Sequence, residues 1–306
     1  MTLSVLILQL LNGLQFGVLL FLMSAGLTLV LGIMRFVNLS HGSFFMLGAY
    51  FAAAAYNLTG TIVAAVAGAI LGTLLVGLIV QRLIFRRLAQ REHLYQVLGT
   101  FGLILIFNEA VTMVWGSAAM SLVVPSWLSQ PVFILGLPYS SFRFAIIAVG
   151  MLTAVGLYVM INKSRIGIMI RASASNSVMA NLVGINAARI NAFVICLGAA
   201  LAGAAGLMAA PISAIQSGMG EPVLILALVV IVVGGIGSVR GAFYGAVIVG
   251  VTDTLARTIL PAVLNNFFDR SIAQGASTAI SSLLIYLLMA VVLAARPAGL
   301  FPVRSG

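Results

Sequence analysis

The stretch MTLSVLILQLLNGLQFGVLLFLMSAGLTLVLGIM, residues 1–34, contains no charged side chain. A membrane-spanning helix needs about 20 consecutive, mostly apolar residues, so this segment is long enough to cross a bilayer. A cleaved secretory leader opens on a basic patch and stops after a short apolar core; with no Lys or Arg before Arg35, the segment is expected to stay as a first helix. The remainder of the chain follows suit. Of 306 residues, 62% are apolar and 7% charged, and the mean hydropathy is +1.23. Water-soluble domains carry about 25% charged residues, which excludes a water-exposed globule. A membrane β-barrel would alternate polar and apolar residues in pieces of about ten, and no such pattern occurs. The expected fold is all-α, a polytopic membrane bundle forming one transmembrane domain over residues 1–306.

Apolar runs between breakers predict about nine spans, near 6–33, 41–57, 62–83, 95–115, 142–162, 190–211, 222–239, 241–260 and 276–295. The second is short, and barely a turn separates the seventh from the eighth. With the N-terminus outside, Arg35, Arg82, Arg86, Arg87, Arg91, Lys163, Arg165, Arg171, Arg189, Arg240, Arg296 and Arg304 fall on the cytoplasmic side, 12 of the 15 Lys and Arg residues. Arg143, Arg257 and Arg270 fall outside. The excess of basic residues in cytoplasmic loops therefore sets the N-terminus outside and the C-terminus in the cytoplasm. The loop 116–141, with three prolines, Trp115, Trp127 and Tyr139, is expected to lie along the outer surface. HGSFFMLGA and RGAFYGAVI both follow a glycine-rich inner break, and an internal repeat is a possible origin.

The net charge of +10 is spread over short connections rather than one face, so no nucleic-acid surface is expected. A phosphate-cradling loop needs Gly-Lys, and the single lysine, Lys163, follows Asn162. With two histidines, His41 and His93, and no HExxH, a histidine-rich metal site is unavailable. GGIGSVRG, residues 234–241, touches the dinucleotide pattern but has Arg240 at the third glycine position. No catalytic residue and no metal site is expected. Cys196, the only cysteine, reads as a small packing residue.

A charge near the bilayer centre costs about 2.5–3.5 kcal/mol, so each intramembrane acid needs a reason. Asp253 lies four residues before Arg257, a spacing that brings side chains together on a helix; it reads as a local ion pair or a path residue. Glu109 reads as a polar path lining or an interfacial group. Asn12, Gln15 and Asn108 complete the candidates for a solute path.

The loop 163–189 is the largest cytoplasmic piece. Ser175 is expected to cap a short helix and Gly184 to close it in the left-handed conformation, with Val178, Met179, Leu182 and Val183 on one face. So short a helix is marginal alone; the face packs either on the protein's own underside or on a partner. Gly234, Gly235, Gly237, Gly241 and Gly245 fall within twelve residues. Period-four glycines let helices approach closely in lipid, and the Gly234-Gly235 pair suggests a hinge or break. Residues 35–42 read as an inner-surface break. Arg35 would hold the boundary, Asn38 and Ser40 would satisfy backbone groups, Gly42 would permit a tight turn into the second span, and His41 would be an interfacial or gating residue.

GLTLVLGIMRFVNLSHGSFFMLGAY, residues 26–50, closely resembles the first signature of branched-chain amino-acid ABC importer permeases of the LivH type. LGTFGLILIFNEAVTMVWG (98–116), RASASNSVMANLVGINAARINAFVICLGAALAGAAGLMAAP (171–211), GGIGSVRGAFYGAVIVG (234–250) and ARPAGLFP (295–302) resemble further family segments in order and spacing. Ser43 stands where the family often has an acid, and the family's coupling-loop pattern survives as Ala180 with Gly184. The resemblance implies a permease subunit in the bacterial inner membrane. Its partners would be a second homologous permease, two ABC ATPase subunits and a periplasmic solute-binding protein. The chain itself would bind no cofactor, since ATP and Mg would sit on the ATPases. The loop carrying Arg171 and Ala180 would couple ATP-driven motion to alternating access. Relatives also carry urea, short amides and aromatic acids, and the residues alone leave open an ion-coupled carrier or a neutral-solute channel.

Overall fold

A computed structural model describes residues 3–34, 36–134 and 136–302; Arg35 and Arg304, read above as cytoplasmic, lie outside the described residues. The long helices are α1 (Leu3–Met34), α2 (His41–Thr59), α3 (Ile62–Val80), α5 (His93–Trp115), α7 (Ser141–Lys163), α10 (Ala187–Ala209), α11 (Gly220–Gly234), α12 (Val239–Leu264) and α13 (Arg270–Ala295). A π turn, Gln81–Phe85, carries α3 into the short α4 (Arg86–Leu88). The loop after α5 holds α6 (Ser126–Ser129) and a β-hairpin, Pro131–Ile134 with Leu137–Ser140, that an all-α reading omits. Between α7 and α10 lie α8 (Arg165–Ser175) and α9 (Ser177–Leu182).

Seven described helices are long and apolar enough to cross a membrane. The two segments outside that set, α2 and the 15-residue α11, correspond to the second and seventh expected spans. α2 is enclosed by other helices, buried almost continuously from His41 to Ala53, whereas α11 is buried mainly along its second half and leaves Pro222 and Ile225 exposed. A helix surrounded by protein has no need of a uniformly apolar surface.

α1 runs through the centre, packed on α12, α10, α11 and α7. It lies antiparallel to α12, with Gly13 against Val251 near one end and Gly32 against Gly237 near the other. Close approach here is a matter of missing side chains. A methyl at Gly26 would lie 2.7 Å from the Cα of Gly198 on α10, and one at Gly17 would lie 2.8 Å from the carbonyl oxygen of Ala246 on α12. Lipid tails are as apolar as the helices themselves, so helices associate through such packing rather than through a hydrophobic drive. The same geometry sorts the basic residues. Arg143, at the start of α7, bonds Asn12 near the start of α1, whereas Arg240 lies beside the end of α1 that meets Gly237.

Candidate functional site: the buried helix starts and the exposed short helix

Residues 36–41 do not lie at a surface. Phe36, Asn38, Ser40 and His41 are buried, which corrects the expectation of an inner-surface break. Irregular backbone is tolerated at membrane depth only where protein or a water-filled cavity satisfies it. Here the Leu39 N–H donates to Thr100 Oγ1 on α5 at 3.3 Å, and Ser40 Oγ donates to Asn38 Oδ1 at 2.7 Å. His41 is not interfacial: its Nε2 sits 3.2 Å from the Met23 carbonyl of α1, and its ring meets Phe44 edge-on. Gly42 permits a close approach, since a methyl there would lie 2.7 Å from the Gly220 carbonyl oxygen. The start of α2 therefore meets the start of α11 inside the bundle.

α5 flanks this meeting point. Asn108 Nδ2 donates to Glu221 Oε1 at 2.7 Å, and Ser217 Oγ donates to the Asn108 carbonyl at 3.2 Å. The Asn108 Oδ1 is buried without a partner. Glu221, in the first turn of α11, was missed by the sequence reading. The available signal was an acid opening an apolar run, where a helix N-terminus favours negative charge, in a chain with five acids. One residue on, Glu109 is exposed on a face of α5 shared with Leu98, Phe101, Leu105 and Met113. A carboxylate amid exposed apolar residues of a span does not belong against lipid. A further polar face that the sequence reading passed over is formed by Gln274 and Thr278, both exposed on α13, which packs on α11.

The other path candidates belong elsewhere. Asp253 and Arg257 form a bidentate pair, with Nε 2.8 and 2.9 Å from the two carboxylate oxygens, as their spacing implied. Asn12 donates to Gln9 Oε1 at 3.1 Å and accepts from Arg143. Gln15 is buried on the same helix. These residues lie in and beside the α1–α12 seam, on helices different from those carrying Asn108, Glu109 and Glu221.

In the 163–189 loop, Asn176 rather than Ser175 caps α9. Its Oδ1 accepts from the Val178 and Met179 N–H groups, each at 3.0 Å, while Ser175 is the last residue of α8. The longer Asn side chain reaches two free amides at once, and Ser175 is still committed to the preceding helix. Gly184 takes the left-handed conformation, φ 89°, as expected. Val178, Met179, Leu182 and Val183 are 68, 61, 76 and 76% exposed; the inward contact of α9 is made by Ala180, which is buried. Arg171 donates to the Ile161 carbonyl, tying α8 to α7. At the glycine cluster, Gly235 (φ 109°) and Gly237 (φ 82°) carry the chain from α11 to α12. The carboxyl end of α11 is closed by the C-terminal segment: the Leu300 and Phe301 N–H groups donate to the Val233 and Gly234 carbonyls, each at 2.9 Å. A methyl at Gly235 would lie 3.1 Å from that backbone. Gly234 packs directly on Gly241. The Gly-Gly pair thus provides room for a crossing strand as well as a break.

The described residues thus form a glycine-packed helical bundle with polar helix starts buried inside it and one apolar helix face left open at an end. Residues 9–293 match the family model described as "Branched-chain amino acid transport system / permease component", and the chain belongs to that family. It is 31% identical over 264 residues to the high-affinity branched-chain amino acid transport system permease protein BraD of Pseudomonas aeruginosa, covering 82% of this chain and 86% of that one. It is 29% identical over 265 residues to LivH of Escherichia coli K12, with the same coverage. The archaeal LivH relative from Methanocaldococcus jannaschii is 29% identical over 261 residues, covering 82% of this chain and 81% of that one. Among solved structures, an ABC transporter in an inward-facing conformation superposes with a TM-score of 0.50 at 17% identity, covering 93% of this chain and 85% of that one; this likeness bears on the fold alone.

Proposed function

We propose that this chain is a permease subunit of an ATP-driven ABC importer for branched-chain amino acids in the bacterial inner membrane. The names borne by its relatives support the substrate. In this reading the end carrying α8 and α9 faces the cytoplasm, with the N-terminus outside and the C-terminus in. A second homologous permease stands across a water-filled path from the Glu109 face of α5 and the Gln274/Thr278 face of α13. A periplasmic binding protein delivers solute between the two permeases. Two ATPases, holding ATP and Mg, dock on α9 and drive alternating access.

The observation that carries the reading is the face of Val178, Met179, Leu182 and Val183. These four apolar side chains are exposed on, and directly after, a helix of six residues that is nevertheless capped at both ends. A helix that short is marginal alone, so its two end devices set out an apolar face that the chain itself leaves unused. The deciding experiment is leucine uptake by membrane vesicles containing this chain and its neighbouring subunits. Uptake should require ATP and added binding protein and persist when ion gradients are collapsed. Uptake that follows an ion gradient without ATP would establish a secondary carrier instead, and downhill flux through this chain alone would establish a channel.

A further inference from the structure

A cavity of about 1040 Å³ lies between α1, α7, α8 and α12, on different helices from the Asn108–Glu221 contact. Its wall is apolar along most of its length, with Leu29, Ile33, Met151, Ala154 and Phe243. Val155, Ile236 and Tyr244 at its rim are exposed, so it opens on the flank of the bundle. The end nearest α8 is different. Arg171 and Arg240 both line it, and among the described residues no acidic side chain does. Arg240 lies with its guanidinium carbon 4.8 Å from the centre of the Tyr158 ring and donates to the Tyr158 hydroxyl at 3.0 Å, a contact that fixes its direction and leaves further donors free. α12 starts here, its first turn capped by Ser238 Oγ accepting from Gly241 N–H at 3.0 Å. A helix start favours a negative group.

One further observation lies inside the cavity. Thr28 of α1 borders it, is fully buried, and has a hydroxyl with no partner among the described residues. Threonine in a helix ordinarily satisfies its hydroxyl on the preceding turn, as Thr73, Thr100 and Thr112 do. Thr28 lies one turn from Gly32, which touches Gly237, and so stands near the level of Arg240. Two cations, an unpaired buried donor near their level and an apolar slot open at its rim are placed in the order of a phospholipid's phosphate, ester and acyl chain.

The geometry points to a bound lipid with an anionic head group. One acyl chain fills the slot between α1, α7 and α12, the phosphate lies between Arg171 and Arg240, and an ester carbonyl accepts from Thr28 Oγ1. Basic pockets between membrane helices bind anionic head groups in this way, each cation contributing attraction in the interfacial region. A lipid suits the slot because its wall is apolar and its rim carries the exposed Val155, Ile236 and Tyr244.

The test uses the chain purified with whatever subunits co-purify with it, exchanged against equal amounts of phosphatidylglycerol and phosphatidylethanolamine with identical acyl chains. Native mass spectrometry should show one phosphatidylglycerol retained per chain in preference to phosphatidylethanolamine. Arg171→Gln and Arg240→Gln should each weaken that retention by about fivefold. Ala154→Phe, which fills the slot without touching a charge, should abolish it while helical content stays constant. Equal retention of the two lipids, retention that survives Ala154→Phe, or retention indifferent to both arginine changes would overturn the assignment.

Discussion

Replacing Met179 and Leu182 together by alanine separates a docking role for α9 from a structural one. In the chain itself these side chains are 61 and 76% exposed, so truncation removes little packing. Alanine is the best helix former, and exposed substitutions of this kind usually change stability by no more than about 0.5 kcal/mol. Burying a Leu or Met fully is worth about 1.5–3 kcal/mol. Scaled by the exposed fraction, a partner that covers both side chains gains about 2–4 kcal/mol from them, and every 1.4 kcal/mol is about a factor of ten in affinity. The double variant should therefore insert and unfold like the parent while its affinity for the ATPases falls at least about tenfold, with ATP-driven uptake falling in proportion. The measurements are titration of purified ATPase onto the permease in nanodiscs and uptake in vesicles. A clear loss of chain stability with unchanged ATPase affinity would overturn the docking role, since it would mean that the face serves the protein's own fold.

Other outcomes follow from the same geometry. Gly184→Pro should abolish coupling without preventing insertion: proline is held near φ −65°, whereas Gly184 sits at +89° with its N–H donated to the Asn181 carbonyl at 3.1 Å; retained ATP-driven uptake would contradict this. Gly26→Ala places a methyl 2.7 Å from the Gly198 Cα, about 1 Å closer than carbon atoms pack. Denaturant titration should show a loss of about 1–3 kcal/mol, against no loss for Gly102→Ala, where nothing lies within 4 Å. Asn176→Ala removes both cap bonds of α9 and should cost about 1 kcal/mol locally, read as faster hydrogen exchange at Val178 and Met179. With Cys196 replaced by alanine, Glu109→Cys should react with a water-soluble maleimide while Leu83→Cys, on an exposed face of the α3 extension, should not; the reverse pattern would place lipid against Glu109.

The bundle was legible because lipid imposes a one-dimensional rule. Each span must be long and apolar, and the runs at 6–33, 62–83, 95–115, 142–162, 190–211, 241–260 and 276–295 all correspond to helices that meet it. The local chemistry of the short loop was also readable: Gly184 closes its helix because few other residues accept that backbone conformation, and the i, i+4 spacing of Asp253 and Arg257 gave their pair directly. Composition could not say which neighbours pack around α2 and α11. Nor could it show that the start of one meets the start of the other, with His41 turned onto Met23 and Glu221 onto Asn108. Those contacts join residues 18 and 113 positions apart. The starts of α2 and α11 meet at contact distance because Gly42 and Gly220 face each other without side chains. Sequence alone decided that the chain lies in a membrane and where it turns. Which polar groups are sealed within the bundle and which face outward was decided by helix-to-helix packing, because in hydrocarbon a polar group's partner is set by whichever neighbouring helix reaches it.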